Sequence, residues 1–362
     1  MDVIKKNIAA KILLWFAFVF VLLAAADYFG REFIVEYVGN YYILALLGLA
    51  FISAFLLFLF IFTFPFRKVF REMKALLTGH QYKKIFTQRI DEVGVLAHFF
   101  NEVTKNLERI AVDVEEGRRM SKELSVGSDI QRKILPTAMP DIPGIKIFGN
   151  TRPASEVGGD SFDIIPAGDN TYIYVGDVTG HGLPAGLIMV MVNTLIRTFS
   201  EINPTGYDII VNTNRVLKQR IEPRRFMTCV LLRWAAREGK LYYTGAGHEH
   251  IMIYRKAQGV CEVKQTGGIA LGMVPDASKI VREEEIPLAP RDYVVLYSDG
   301  IVEAKNMSGE MFGVPRLKNS IEAYASACLP QDLFTQISRD LASFVGNHVQ
   351  EDDVTLIALQ KA

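Results

Sequence analysis

Between Tyr37 and Phe66 the chain carries no charged side chain across 30 residues. That exceeds the roughly 20 apolar residues a helix needs to cross a bilayer. A second apolar stretch runs from about Ile8 to Phe29, interrupted only by Lys11 near one end and Asp27 near the other. Its "LLAAAD" offers a signal-peptide cleavage site. Tyr28 and Phe29, however, extend the stretch and anchor its end as interfacial aromatics do. Cleaved or not, the run after Tyr37 stops transfer. The sequence therefore predicts two transmembrane helices within residues 1–66, joined by a short external loop. Lys5, Lys6 and Lys11 precede the first, and Arg67, Lys68, Arg71 and Lys74 follow the second. The connecting "REFIVEYVGN" has one Arg and two Glu, so both ends are expected on the cytoplasmic side. The expectation is a multi-pass protein of the inner (cytoplasmic) membrane whose C-terminal bulk is cytoplasmic.

Composition narrows the remainder. Forty basic and forty acidic residues cancel, so bulk charge points to no nucleic acid. Cys229, Cys261 and Cys328 are few, odd in number and far apart, which fits a reducing compartment and no zinc framework.

After the second run, "FPFRKVFREMKALLTG" places Phe66, Val69, Phe70, Met73, Leu76 and Leu77 on one helical face, and Gly79 ends it. A polar connector leads to a second helix, where Val93, Leu96, Phe100, Val103, Leu107, Ile110 and Val114 recur in steps of three and four. Such a seam predicts a parallel coiled coil, or else burial on a globular domain. Pro65 at the membrane exit and the "DEVG" of Asp91, Glu92 and Gly94 make residues 67–118 resemble a HAMP signalling module, which implies a dimer relaying a signal along the helices. Gly117 interrupts the seam. A charged linker helix over 119–139 follows, with Met120, Leu124, Ile130 and Ile134 as its apolar points, ending at Pro136. Pro140, Pro143 and Gly144 mark a boundary.

From 140 to 362 strands dominate: "IKIFGN", "TYIYVGDV", "FMTCVLLRW", "LYYTGAG", "IMIYR", "YVVLYSDG" and "VTLIALQ". Two helical patterns interrupt them, "PAGLIMVMVNTLIRTFSEI" and the region after 313. This order suggests an α+β sandwich rather than a doubly wound sheet.

Acids recur at the ends of these strands. "YIYVGDVTGHG" delivers Asp177 from an apolar strand, "EVGGDSFDI" carries Asp160 and Asp163, "YVVLYSDGIVEA" ends on Asp299, and "VQEDDVTLIAL" holds Asp352 and Asp353. Each alone reads as a turn or a strand edge. If the strands are neighbours, the carboxylates converge, repel and lift one another's pKa unless cations are present. An all-carboxylate set suits magnesium or manganese rather than zinc. No Lys-Ser/Thr follows the glycines, which excludes a P-loop, and no Cys-x5-Arg phosphatase loop is present.

In this order, "GGDSFD", "GDVTGHGLPAGL", "RFMTCVLL", "TGAGH", "LYSDGIVEA" and "DDVTLIAL" resemble the SpoIIE/RsbU-type branch of the metal-dependent PPM serine/threonine phosphatases. The resemblance implies a PPM-type β-sandwich flanked by helices, with two Mn or Mg ions at one edge that supply the attacking water and clamp the phosphoryl oxygens. It implies Asp177 as the acid bridging the ions and the Val178 carbonyl as a further ligand. Asp299 and Asp352 would complete one shell and Asp160 the other, with Asp177 and Asp160 counted as catalytic and Asp353 as supporting. Gly176, Gly180 and Gly182 would let backbone and metals approach. His181 and His248 read equally as leaving-group acids or as structural caps, and Arg152 and Arg197 stay unassigned. The implied substrate is a phosphorylated anti-anti-sigma (STAS-domain) protein in a partner-switching cascade, and the implied assembly a homodimer through HAMP and linker helices. Two other readings compete. One is a PPM-fold binding protein without turnover, although all the metal acids are present. The other is a diguanylate cyclase, whose GGDEF signature "GGDSF" resembles but whose identity would leave "GDVTGHG", "LYSDG" and "DDVTL" unexplained.

Overall fold

The computed structural model describes residues 7–38 and 42–362; Lys5, Lys6 and the Gly39–Asn40 end of the expected loop lie outside the described residues. The chain forms two compact units, Met1–Arg118 and Arg119–Ala362.

In the first unit, helix α1 (Ile8–Val38) continues over Arg31–Val38, where a loop was expected. Gly30 alone does not end it, and the next glycine is Gly39. Helix α2 (Tyr42–Phe58) passes through one π-helical turn, Leu59–Thr63, into α3 (Phe64–Leu77). The segments Ile8–Tyr28 and Leu47–Leu77 are long and apolar enough to cross a membrane. Of the face expected on α3, Val69, Met73 and Leu76 pack with Val93, Ala97 and Phe100 of helix α4 (Glu92–Ile134), while Phe70 and Leu77 stay exposed. The acids of "DEVG" tie α4 to the start of α1. The fully buried Asp91 carboxylate meets Lys11 Nζ and Arg89 Nη2 at 2.7 Å each, and Glu92 accepts from the Ile8 amide at 3.0 Å. Burial opposes ionisation of Asp91, but these bonds outweigh it and hold its carboxyl well below the usual range. Helix α4 runs 43 residues and does not break at Gly117.

The second unit contains β1 (Ile145–Arg152), β2 (Ser161–Ala167), β3 (Asn170–Val178), α5 (Leu183–Ile202), α6 (Gly206–Lys218), β4 (Met227–Ala235) and β5 (Lys240–Ala246). It continues with β6 (His250–Arg255), β7 (Val260–Gln265), β8 (Glu283–Ile286) and β9 (Tyr293–Tyr297). Last come α7 (Asp299–Val302), α8 (Gly313–Tyr324), α9 (Pro330–Val345) and β10 (Val354–Lys361). Two antiparallel five-stranded sheets, β1-β10-β9-β6-β7 and β2-β3-β4-β5-β8, form the expected sandwich. Strand alternation explains the layering. On β3, Ile173 and Val175 point between the sheets to meet Val230, Leu296 and Ile357, whereas Tyr172 and Tyr174 face α5 and α6. The other sheet packs its outer face on α7, α8 and α9.

A third helix is apolar enough to span a membrane, Leu183–Ile202. Its Ala185, Met189, Val192 and Ile196 are buried against the second sheet, so its hydropathy reflects a domain core. Strands β2, β7 and β8 and helix α6 are not among the elements expected from the sequence. Strand β8, "EEEI", is a sheet edge with a single buried apolar residue, so it carries no period-two signal. Asp163 also differs from expectation, for it lies within β2 rather than in a turn.

Candidate active site

Strand pairing brings the acids to one edge of the sandwich. Asp177, the penultimate residue of β3, pairs with Thr228 on β4, and Val178 with Met227. The ladder continues into the loop, where the Thr179 amide donates to Phe226 O at 3.0 Å. A Cβ on Gly176 would lie 2.4 Å from Met227 Cε, so this glycine admits the neighbouring strand's side chain rather than an ion. Gly180 and Gly182 have φ of 86° and 77°, a region only glycine adopts cheaply, and they turn the chain from β3 into α5.

The "EVGGD" loop closes over this turn. A Cβ on Gly159 would stand 3.1 Å from Val178 O and 3.3 Å from Gly180 O, and one on Gly158 2.5 Å from Asp353 Oδ2. The Asp353 carboxylate anchors the loop: Oδ1 accepts from the Ala154 amide at 2.7 Å, and Oδ2 from Gly159 at 2.6 Å and Asp160 at 3.1 Å. Its supporting role is therefore to hold the loop that presents Asp160.

Asp160 is 3% exposed. Its Oδ2 accepts from Thr355 Oγ1 at 2.5 Å, while Oδ1 is buried with no hydrogen-bond partner. Burial, with Asp353 and Asp299 nearby, pushes its carboxyl up to about 7 against the pull of Thr355 and Ser298. Asp177 is pushed up to about 9 by burial, then by Asp160, Asp299, Asp352 and Asp353. Asp299 rises to about 6 by burial and by Asp352, Glu303 and Glu249. Glu303 and Glu249 are acids of the cluster that the sequence reading missed. The signal for Glu303 was present, since it sits four residues beyond Asp299 and its amide donates to Asp299 O at 2.8 Å. Among the described residues, no three acidic, histidine or cysteine side chains already close into a ligand shell; the acids are mutually repelling neighbours. The donor set is nonetheless all oxygen. With the unpartnered Asp160 Oδ1, and a Val178 carbonyl that Gly159 approaches closely, it fits a hard divalent cation.

The histidines part company. His181 is exposed on the glycine-rich loop. His248 is buried, with Nε2 donating to Tyr297 O at 2.7 Å and Nδ1 3.1 Å from Thr228 Oγ1. Burial lowers its pKa to about 4. Its single N–H is committed to a backbone carbonyl, which makes it a structural tie between β4 and the end of β9. Arg152 is exposed at the end of β1. Arg197 is occupied, its Nε and Nη2 donating to the fully buried Asp163 carboxylate at 2.7 and 2.9 Å, and Asn193 Nδ2 adding a third bond at 3.1 Å. Truncating Arg197 leaves that carboxylate underpaired, so Arg197→Ala is expected to cost about 3 kcal/mol of stability. Its KM for a phosphate ester should stay unchanged in the folded protein, and denaturant melts beside steady-state kinetics check both.

The profile of the Stage II sporulation protein E (SpoIIE) family matches residues 167–362, more than half of the chain. The chain belongs to the SpoIIE family. Asp177, Asp299 and Asp352 lie inside the matched segment, while Asp160 and its loop precede it. Protein IcfG of Synechocystis is 28% identical over 304 residues, covering 75% of this chain and 47% of that protein, so the chain spans about half of that relative. Phosphoserine phosphatase RsbU of Bacillus subtilis is 25% identical over 244 residues, 67% of this chain and 71% of RsbU. The SiaA-PP2C domain of Pseudomonas aeruginosa shares the fold, with a TM-score of 0.58 and 23% identity over 68% of this chain and 98% of that one. The second unit is thus a SpoIIE-family serine/threonine phosphatase domain of PP2C fold.

Proposed function

We propose that the whole chain is a membrane-anchored, metal-dependent protein serine/threonine phosphatase, and that residues 1–66, 67–118, 119–139 and 140–362 serve as membrane anchor, HAMP-like relay, linker and catalytic domain. The observation that carries the catalytic reading is the buried carboxylate cluster, with Asp177 pushed up to about 9 and Asp160 Oδ1 unpartnered. So expensive a gathering of like charge persists when cations compensate it. Asp177, Asp160, Asp299, Asp352 and the Val178 carbonyl would hold two magnesium or manganese ions, which supply Lewis-acid activation of water and of the phosphoryl group when bound. The chain's own part is to orient these oxygens: Thr355 fixes Asp160, Asp353 fixes the "EVGGD" loop, and β4 fixes Asp177. His181, exposed beside the site, is left as the imidazole free to face a leaving group.

The substrate we propose is a phosphorylated STAS-domain protein, on the strength of the likeness to RsbU. Exposed Leu107, Ile110 and Val114 on α4 support pairing with a second copy. The test is hydrolysis of p-nitrophenyl phosphate by the full chain in detergent micelles. Turnover with manganese and its loss in EDTA are expected. Activity that survives EDTA overturns the metal reading, and binding of a phosphoprotein without turnover favours the inactive binding protein.

A further inference from the structure

Next to the carboxylate cluster lies a cleft that the proposed chemistry leaves unused. It encloses about 510 Å³ between the end of β1, α7, α9 and the turn before β10, a volume within the range of ligand pockets. Its walls are apolar, formed by Ile301, Phe334, Ile337, Leu341, Val354 and Leu356. Phe334 is held at the wall by an edge-to-face contact with Phe148, ring centroids 5.0 Å apart. Small residues keep the space open. Ser338 and Ala342 stand four apart on α9, hence on one helical face, and both border the cleft.

The cleft is continuous with the site, for Gly300, Glu303 and Asp352 line it too. Its lips are tied in place. Lys305 Nζ donates to Glu351 Oε2 at 2.6 Å, and Gln350 Nε2 donates to Arg152 O at 2.9 Å and to Asp352 O at 2.7 Å. Between these bonds Val349 borders the cleft with 79% of its surface exposed. Lips already fixed cost little further ordering when something is bound. Arg152 also borders the cleft and is exposed; among the described residues no carboxylate pairs with its guanidinium. A free cation beside an apolar trough suits a partner that is anionic at one point and apolar next to it. A protein carrying a phosphoserine has that character.

We propose that this cleft docks the phosphoprotein substrate, taking an apolar side chain that flanks the phosphoserine. The inference rests on the phosphatase reading, which puts the phosphoserine at the acids next door. Burial of that flanking side chain adds to transition-state binding of the protein substrate. A small ester such as p-nitrophenyl phosphate has no flanking residue, so its hydrolysis does not depend on the cleft.

The test uses the full chain in detergent micelles with manganese. Its probes are phosphoserine peptides built of glycine and asparagine, each carrying one leucine at a different position around the phosphoserine. The best of them is expected to exceed the leucine-free peptide about 10–100-fold in kcat/KM, the discrimination an apolar pocket supplies. Ser338→Leu and Ala342→Leu fill the cleft. Both are expected to remove that preference while p-nitrophenyl phosphate turnover stays near that of the wild type. Ala342 is exposed and tolerates a larger side chain, so Ala342→Leu decides if Ser338→Leu does not fold. No preference among the peptides, or a preference that survives Ala342→Leu, overturns the proposal. Should that surviving preference come with loss of a dimer, the cleft belongs to a contact between copies instead. If the wild type hydrolyses no ester, it is the phosphatase reading that fails. Binding of the same peptides, by fluorescence anisotropy in wild type against Ala342→Leu, then still decides the docking site.

Discussion

Asp177→Asn is expected to lower kcat/KM by about 10³-fold and, in EDTA, to make the protein more stable than the wild type. The two effects share one cause. Asp177 is held among Asp160, Asp299, Asp352 and Asp353, and burial plus their charge push its carboxyl up to about 9. The folded state therefore binds that proton more tightly than the unfolded chain does. Stability contributed by the protonated form is complete below the unfolded pKa of about 4 and is lost as pH rises through the folded value. Asparagine cannot ionise, so the variant should match the wild type below about pH 4 and exceed it by a margin that grows as pH rises, reaching about 3–5 kcal/mol near about pH 8. Manganese should reverse the order, because only the wild type would offer it a carboxylate at this position. Melting curves across pH, with EDTA and with manganese, read both signs. A metal-free variant that is less stable than the wild type at the higher pH would show that Asp177 is not strained by its neighbours.

Much of this site could be read from strand ends. Asp177 and Asp299 announce themselves because each ends a continuous apolar run, where a carboxylate has no packing role. The sandwich was legible for a similar reason: β3, β4, β9 and β10 are buried strands with continuous apolar signatures. What escaped depends on contacts between residues far apart in the chain. Asp353 reads as a strand-edge charge until its carboxylate is seen accepting amides 193 and 194 positions away. Gln131, whose side-chain amide bonds both backbone groups of Gly158 at 2.7 and 3.0 Å, carries no such signal, since helix periodicity ranks faces by apolar content and its face is Gly127, Ser128 and Gln131. His248 could not be assigned because a glycine-flanked histidine has one sequence signature for catalysis and for a buried tie. Only the Tyr297 carbonyl separates them.

Gly300 is the second position at which a large effect is expected, and geometry rather than charge produces it. "Asp-Gly" after a strand reads as a turn, yet Gly300 lies in the short helix α7, with no need of positive φ. Its reason is proximity: a Cβ there would stand 2.0 Å from Asp353 O and 2.9 Å from Asp353 C, both backbone atoms. The two segments are also stitched together, with the Ser298 amide donating to Thr355 O at 3.0 Å and the Thr355 amide to Ser298 Oγ at 3.0 Å. Gly300→Ala must therefore push the Asp352–Asp353 turn away from Asp299. That shift moves Asp352 directly, and moves Asp160 through the loop that Asp353 anchors. A displacement near 1 Å is enough to lower kcat/KM by about 10²-fold, and the overpacking should cost about 1–3 kcal/mol of stability. Unlike Asp177→Asn, this variant should be less stable than the wild type with or without manganese, and its stability deficit should not grow with pH. Wild-type turnover in folded Gly300→Ala would mean that the approach of α7 to β10 does not set the spacing of the acids.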